Sequence, residues 1–205
     1  MIYFSQFSCF LSYYSKVFFL YLFFTFNISS CIPPDIKGTT DTEFFDLKGF
    51  LDNQISFLEK LEQKGITITK KTNLQGQKSE QTLKKMNWKD EFAFFYSSDI
   101  NTPQLRDRYK IEKTPQKWIF KTDEQHLIVK QMQIIFGENK ENNSTSFENV
   151  KEILIVQKDK NQIYENYRTL IIKVKNGVVE SYSIKGSEDV ILNEKQEFLV
   201  EGIIK

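Results

Sequence analysis

Apolar residues recur at spacings of three and four through Phe44, Leu47, Leu51, Ile55 and Leu58, the stripe of an amphipathic helix. Thr40 and Glu43 have capping-box spacing, so this helix is expected to open at Thr40. Lys60 and Lys64 complement the dipole at its far end, and Gly65 supplies the stop. Phe45, Phe50 and Phe57 broaden the apolar surface and predict cover on more than one side. From Ile66 to Thr69 the pattern switches to period two, and Gln75-Gly76 offers a turn before a second run through Leu83, which together predict a hairpin. Asn87 can cap a second helix, with Asp90 three residues on and Trp88, Phe92 and Phe95 at helical spacing, ending near Ser98. Thr102 followed by Pro103 starts another short helical turn.

Beyond Pro115 the pattern is almost entirely that of strands, at 117–121, 127–136, 150–157, 167–175, 178–184 and 197–204. Asn176-Gly177 suits a two-residue hairpin turn, because both positions need positive φ. Pairing outward from it sets Val174 opposite Val179 and Lys173 opposite Glu180, with Leu170 and Ile172 continuing the aliphatic side. Phe198, Val200 and Ile204 alternate with Glu197 and Glu201 in the last strand. The expected fold class is α+β, with N-terminal helices packed on a curved antiparallel sheet, a meander supplied by the C-terminal half. GENKENNSTS, from Gly137, reads as a polar loop; its sequons at Asn142 and Asn143 carry little weight in bacterial export.

The first thirty residues differ from all that follows. They hold one base, Lys16, no acid, and twelve of the thirty aromatic residues of the 205-residue chain. VFFLYLFFTF, from Val17 to Phe26, has the length of a signal-peptide core and about half the ~20 residues that a membrane span needs. Ile28-Ser29-Ser30-Cys31 follows: an aliphatic residue, two small residues and a cysteine. This segment resembles the lipobox of bacterial lipoproteins. The resemblance implies that the Cys31 thiol takes a diacylglycerol, that residues 1–30 are removed, and that the new amine is acylated, palmitate being a typical chain. Ile28 stands where that family more often has leucine. A plain signal peptide with a chance cysteine, or an uncleaved anchor, is the alternative. Residues 31–41, CIPPDIKGTTD, read as a lipid-anchored tether, and 42–205 as a single α+β domain. Ile32 is not the aspartate that in such lipoproteins signals inner-membrane retention, which points to the outer membrane and its periplasmic face.

Without residues 1–30 the chain carries 27 basic and 27 acidic side chains. That neutrality argues against a nucleic-acid partner, whose binding rests on neutralising phosphates. Cys9 lies in the removed segment and Cys31 is consumed by lipid, which leaves no disulfide or reactive thiol.

Candidate chemistry is sparse. His126, the single histidine, lies beside a turn at Asp123-Glu124 and reads as a solvated turn residue; a multi-histidine metal site is excluded and a histidine-based triad nearly so, since it needs an orienting partner and a nucleophile beside the ring. No Gly-rich phosphate loop, GxSxG elbow or HExxH occurs, so neither a cofactor nor a metal is expected. Arg106, Asp107 and Arg108 read as a solvated face. Trp88, Phe92, Phe94, Phe95 and Tyr96 form the densest aromatic group after Cys31. They are core, or the lining of an apolar pocket beneath the sheet in which Trp88, Phe92 and Phe95 are the candidate ligand-binding residues. The leading expectation is a non-enzymatic, membrane-anchored envelope lipoprotein that binds an apolar ligand under the sheet or an envelope protein at a sheet edge. The alternative is a carboxylate-dependent envelope hydrolase using Asp90, Glu91 or Asp99, which requires these side chains to converge with at least one raised pKa.

Overall fold

Two hairpins turn at glycines in the left-handed region, and the sheet grows outward from those turns. In the computed structural model, which describes residues 43–137 and 146–205, Gln75 and Gly76 have φ of 51° and 85°, and Asn176 and Gly177 have 53° and 78°. These are the paired positive φ values of a two-residue hairpin turn. The first joins β1 (Ile68–Leu74) to β2 (Gln77–Leu83), and the second joins β7 (Tyr164–Lys175) to β8 (Val178–Val190). With β3 (Lys110–Lys113), β4 (Lys117–Lys121), β5 (Val129–Phe136), β6 (Val150–Lys160) and β9 (Gln196–Ile204) they form one nine-stranded antiparallel sheet. Its order is β2-β1-β9-β8-β7-β6-β5-β4-β3. The meander is therefore continuous from β3 to β9, and the N-terminal hairpin extends it through β1 against β9 rather than standing apart.

Strand alternation sorts the side chains. Met132, Ile134, Ile153, Ile155, Leu170, Ile172, Tyr182 and Ile184 share one face by register and are buried. Against them lie residues of α1 (Leu47–Gln63) and of two short helices, α2 (Trp88–Glu91) and α3 (Ala93–Tyr96). The Gln54 side chain is buried and doubly bonded: its amide nitrogen donates to the Gly177 carbonyl and its oxygen accepts from Val179 N–H, both at 2.9 Å. A helix side chain thus satisfies the backbone of the β7–β8 turn. Thr42–Lys205 forms one compact unit.

Several sequence expectations need correction. The first helix opens at Leu47, where the Asp46 carboxylate accepts from Gly49 N–H, and not at Thr40. Phe44 precedes the helix and packs edge-on against Tyr109 and Phe120, while Phe57 is exposed. The second helical stretch is two short helices that meet at Phe92. The β7–β8 register has a bulge after Lys173, so Lys173 faces Ser181, and Glu180 pairs with Lys175 at 3.1 Å. β3 was not anticipated. Thr40, the signal segment, Cys31, the tether 31–41 and most of the 137–146 loop lie outside the described residues.

Candidate functional site

A partly buried polar constellation sits where α2 meets the sheet. Asn87 caps α2 by accepting from Asp90 N–H, and this fixes the turn that aims Glu91 at the sheet. Lys70 of β1 and Tyr182 of β8 belong to the buried-side face by register. The Lys70 ammonium donates to Glu91 Oε2 at 2.6 Å, and the Tyr182 hydroxyl donates to Glu91 Oε1 at 2.6 Å. The Glu91 side chain is 10 % exposed and that of Lys70 29 %. Burial, then the bond to the Glu91 carboxylate, pushes the Tyr182 phenol well above its ordinary range. A second acid, Glu62 of α1, accepts from Trp88 Nε1 at 2.7 Å and from Met86 N–H at 3.0 Å through one oxygen. The arrangement leaves the buried polar atoms partnered and clamps α2 to both α1 and the sheet.

The aromatic candidates pack inside this clamp. Trp88, Phe92 and Phe95 are all buried. The Phe92 ring lies 5.7 Å from Trp88, 5.9 Å from Phe95 and 5.5 Å from Tyr182, the last two edge to face. The open hollows among the described residues include four of about 210–660 Å³, none of them lined by Trp88, Phe92 or Phe95. Phe94 instead stays exposed beneath the Arg168 guanidinium, 4.9 Å from its ring centre.

The carboxylate candidates are held by different partners. Asp90 accepts from the Asn87 amide at 2.6 Å on the exposed side of α2. Glu91 is saturated by Lys70 and Tyr182. Asp99 accepts from Asn101 N–H, and burial holds its carboxyl above the usual range, against the lowering effects of that bond and of Lys48. No bond links any two of the three acids.

His126 is exposed and belongs to a surface cluster: its Nε2 lies 2.7 Å from Arg108 Nη2 and 3.1 Å from Glu124 Oε2. Glu124 accepts from both Nε and Nη2 of Arg108, which holds the carboxyl below and the guanidinium above their ordinary values. A cation-rich hollow of about 450 Å³ is lined by Asp123, Gln125, Lys130, Lys158 and Lys160. Its lysines are engaged: Lys158 and Lys160 flank Glu165 and draw its pKa down to about 2, while Lys130 donates to the Glu124 and Gln125 carbonyls. Among the described residues no group of three or more His, Cys, Asp or Glu side chains is placed to hold a metal ion, and no helix is long and apolar enough to cross a membrane.

Sequence reasoning missed Lys70 and Tyr182 as partners of Glu91, since nothing local to α2 signals residues 21 positions earlier and 91 later. Compared with protein-family models, curated proteins and solved structures, the chain matches none.

Proposed function

We propose that this chain is a lipoprotein of the cell envelope, held through acyl chains on Cys31 at the periplasmic face of the outer membrane, and that it serves by binding a partner protein rather than by catalysis. The observation that carries the anchor is the succession VFFLYLFFTF, Ile28-Ser29-Ser30-Cys31 and a short polar tether. Several acyl chains make a durable anchor, since each buried methylene contributes about 0.8 kcal/mol. In this reading α1 to α3 cover the inner side of a curved sheet, whose aromatic stripe is spent on packing. The mutual contacts of Trp88, Phe92 and Phe95 favour a protein partner over an apolar ligand. The separate engagement of Asp90, Glu91 and Asp99 weighs against the hydrolase. A place for strand addition exists at β2, seven residues long, almost wholly exposed and paired on one side only.

Mass spectrometry of the native N-terminus tests the anchor. A first residue at Cys31 carrying diacylglyceryl and amide-linked acyl mass is the expected result. A terminus elsewhere, or Cys31 without lipid, overturns it.

A further inference from the structure

One end of the sheet projects beyond the core. Burial on the core face runs to Gln157, Leu170 and Ile184, yet β6, β7 and β8 continue to Lys160, Tyr164 and Val190 with only Gly186 buried among the added residues. Six residues past Ile184 carry the ribbon about 20 Å further. At its tip stand three of the most exposed large apolar side chains among the described residues: Ile163 at 63 %, Ile191 at 60 % and Leu192 at 99 %.

These residues are held in place. The Asn161 carboxamide oxygen accepts from Ile163 N–H at 2.7 Å and Tyr164 N–H at 2.9 Å, which fixes the β6–β7 turn. Ile191 N–H donates to the Ile163 carbonyl at 2.9 Å and ties the two turns into one knob. Asn193 N–H closes onto the Val190 carbonyl around Leu192, whose φ of 71° is a conformation unfavourable for an L-residue. An aliphatic side chain that costs free energy both to expose and to hold is the pattern of a pre-organised contact residue.

On the β6–β7 side of the knob Lys158 and Lys160 are offset by Asp159 and Glu165, so the β8–β9 arm sets the charge that the knob presents. Between Glu188 and Glu197 the β8–β9 arm carries four acids and one base, Lys195. Lys195 pairs only loosely with Glu197, at 3.6 Å, while Glu188, Asp189 and Glu194 have no cationic partner among the described residues. An anionic leaflet repels such an arm, since elements that lie on membrane surfaces carry lysine and arginine on their polar side. A second copy meeting it arm to arm repels it equally. Complementarity requires a cleft that is apolar at its floor and basic at its rim.

We infer that this knob docks Ile163, Ile191 and Leu192 into an apolar cleft, rimmed by lysine or arginine, on a partner protein. The inference rests on the partner-binding reading proposed above, although the chemistry of the knob does not depend on the anchor. The knob and the Glu43 carbonyl, which accepts from Lys113 at 2.6 Å, lie at opposite ends of the strands.

The test places a photo-crosslinker in the full-length chain in its host cells, as Leu192→p-benzoylphenylalanine and Ile163→p-benzoylphenylalanine, with Phe57→p-benzoylphenylalanine on the exposed side of α1 as control. The expected result has three parts: the same protein adduct from positions 192 and 163 but not 57, a crosslinked segment of that protein containing Lys or Arg, and at least a tenfold loss of adduct with Glu188→Lys, Asp189→Lys and Glu194→Lys combined. A lipid adduct, an adduct of twice the chain's own mass, a yield unmoved by charge reversal, or no adduct overturns the inference. Membrane pelleting of the same cells reports on the anchor separately. An adduct without pelleting sinks the anchor and leaves the knob; pelleting without an adduct does the reverse.

Discussion

Phe92→Ala distinguishes a packed helix–sheet junction from a pocket waiting for a ligand. Phe92 is fully buried at the joint of α2 and α3, with its ring within 6 Å, centre to centre, of Trp88, Phe95 and Tyr182. Two of those neighbours cannot collapse freely into the space, because Trp88 is tied to Glu62 and Tyr182 to Glu91. Truncation therefore loses the transfer free energy of the ring and leaves a cavity, a combination that costs about 3–5 kcal/mol. Against a total stability of about 5–15 kcal/mol that is a large share. For a domain of this size each kcal/mol shifts Tm by roughly 2–4 °C, so a fall of about 6–20 °C is expected. Urea unfolding of Thr42–Lys205, followed by circular dichroism, reads the difference, with the m-value checking that the transition stays two-state. If Phe92 lined a pre-existing hollow, its removal would only enlarge that hollow. A loss below about 1 kcal/mol at unchanged m refutes the packing argument and returns the aromatic group to candidacy as a ligand site.

Glu91→Ala removes the acceptor for Tyr182 and the partner of Lys70; because Lys70 keeps some contact with water, the expected cost is about 1–3 kcal/mol in the same assay, and an unchanged midpoint would show that the clamp is ornamental. Asp99 is held above the ordinary carboxyl range by burial, so the native state binds its proton more tightly than the unfolded chain, and stability falls as pH rises through that window and stays reduced above it. Asp99→Asn should then be more stable than the parent at pH 7, with the gap closing below about pH 4, where both states are protonated; the opposite ordering of urea midpoints would reverse the assigned direction. Gly177→Ala has open space for its methyl group but must hold φ at 78°, which predicts a loss of about 1–2 kcal/mol from backbone conformation alone, and no loss would mean that the turn relaxes.

Local signals were legible where neighbours in sequence are also neighbours in space. Asn176-Gly177 correctly places Val174 opposite Val179, and the period-two runs locate β4 to β9. The same reasoning fails one step out, because the bulge after Lys173 shifts the register and is set by twist and packing rather than by any residue preference. β3 escapes notice because KIEK offers a single apolar residue, too few for alternation to register. The early opening assigned to α1 treats Phe44 as a member of a helical stripe, whereas it pairs with Tyr109 and Phe120; an apolar residue announces that it will be buried, not by what. Glu91 gives no local sign of its role for the same reason, since its partners come from β1 and β8.

The least legible feature is also the one with the widest consequence. β1 is enclosed between β2 and β9, with Ile68 opposite both Leu83 and Ile204. The hairpin forms locally, but its place in the sheet depends on the last strand of the chain. Two-stranded hairpins are marginal alone, and Ile68, the one fully buried residue of the pair, gains its cover from the assembled core. Lys70 reaches the Glu91 carboxylate, which also accepts from Tyr182, only once β1 is docked beside β9, so the polar clamp under α2 is itself a product of that long-range closure. Loop-closure entropy places such pairings late in folding. A chain built this way completes its core and its clamp only after β9 is present, which suits the proposed export route, where the polypeptide reaches the far side of a membrane before it folds.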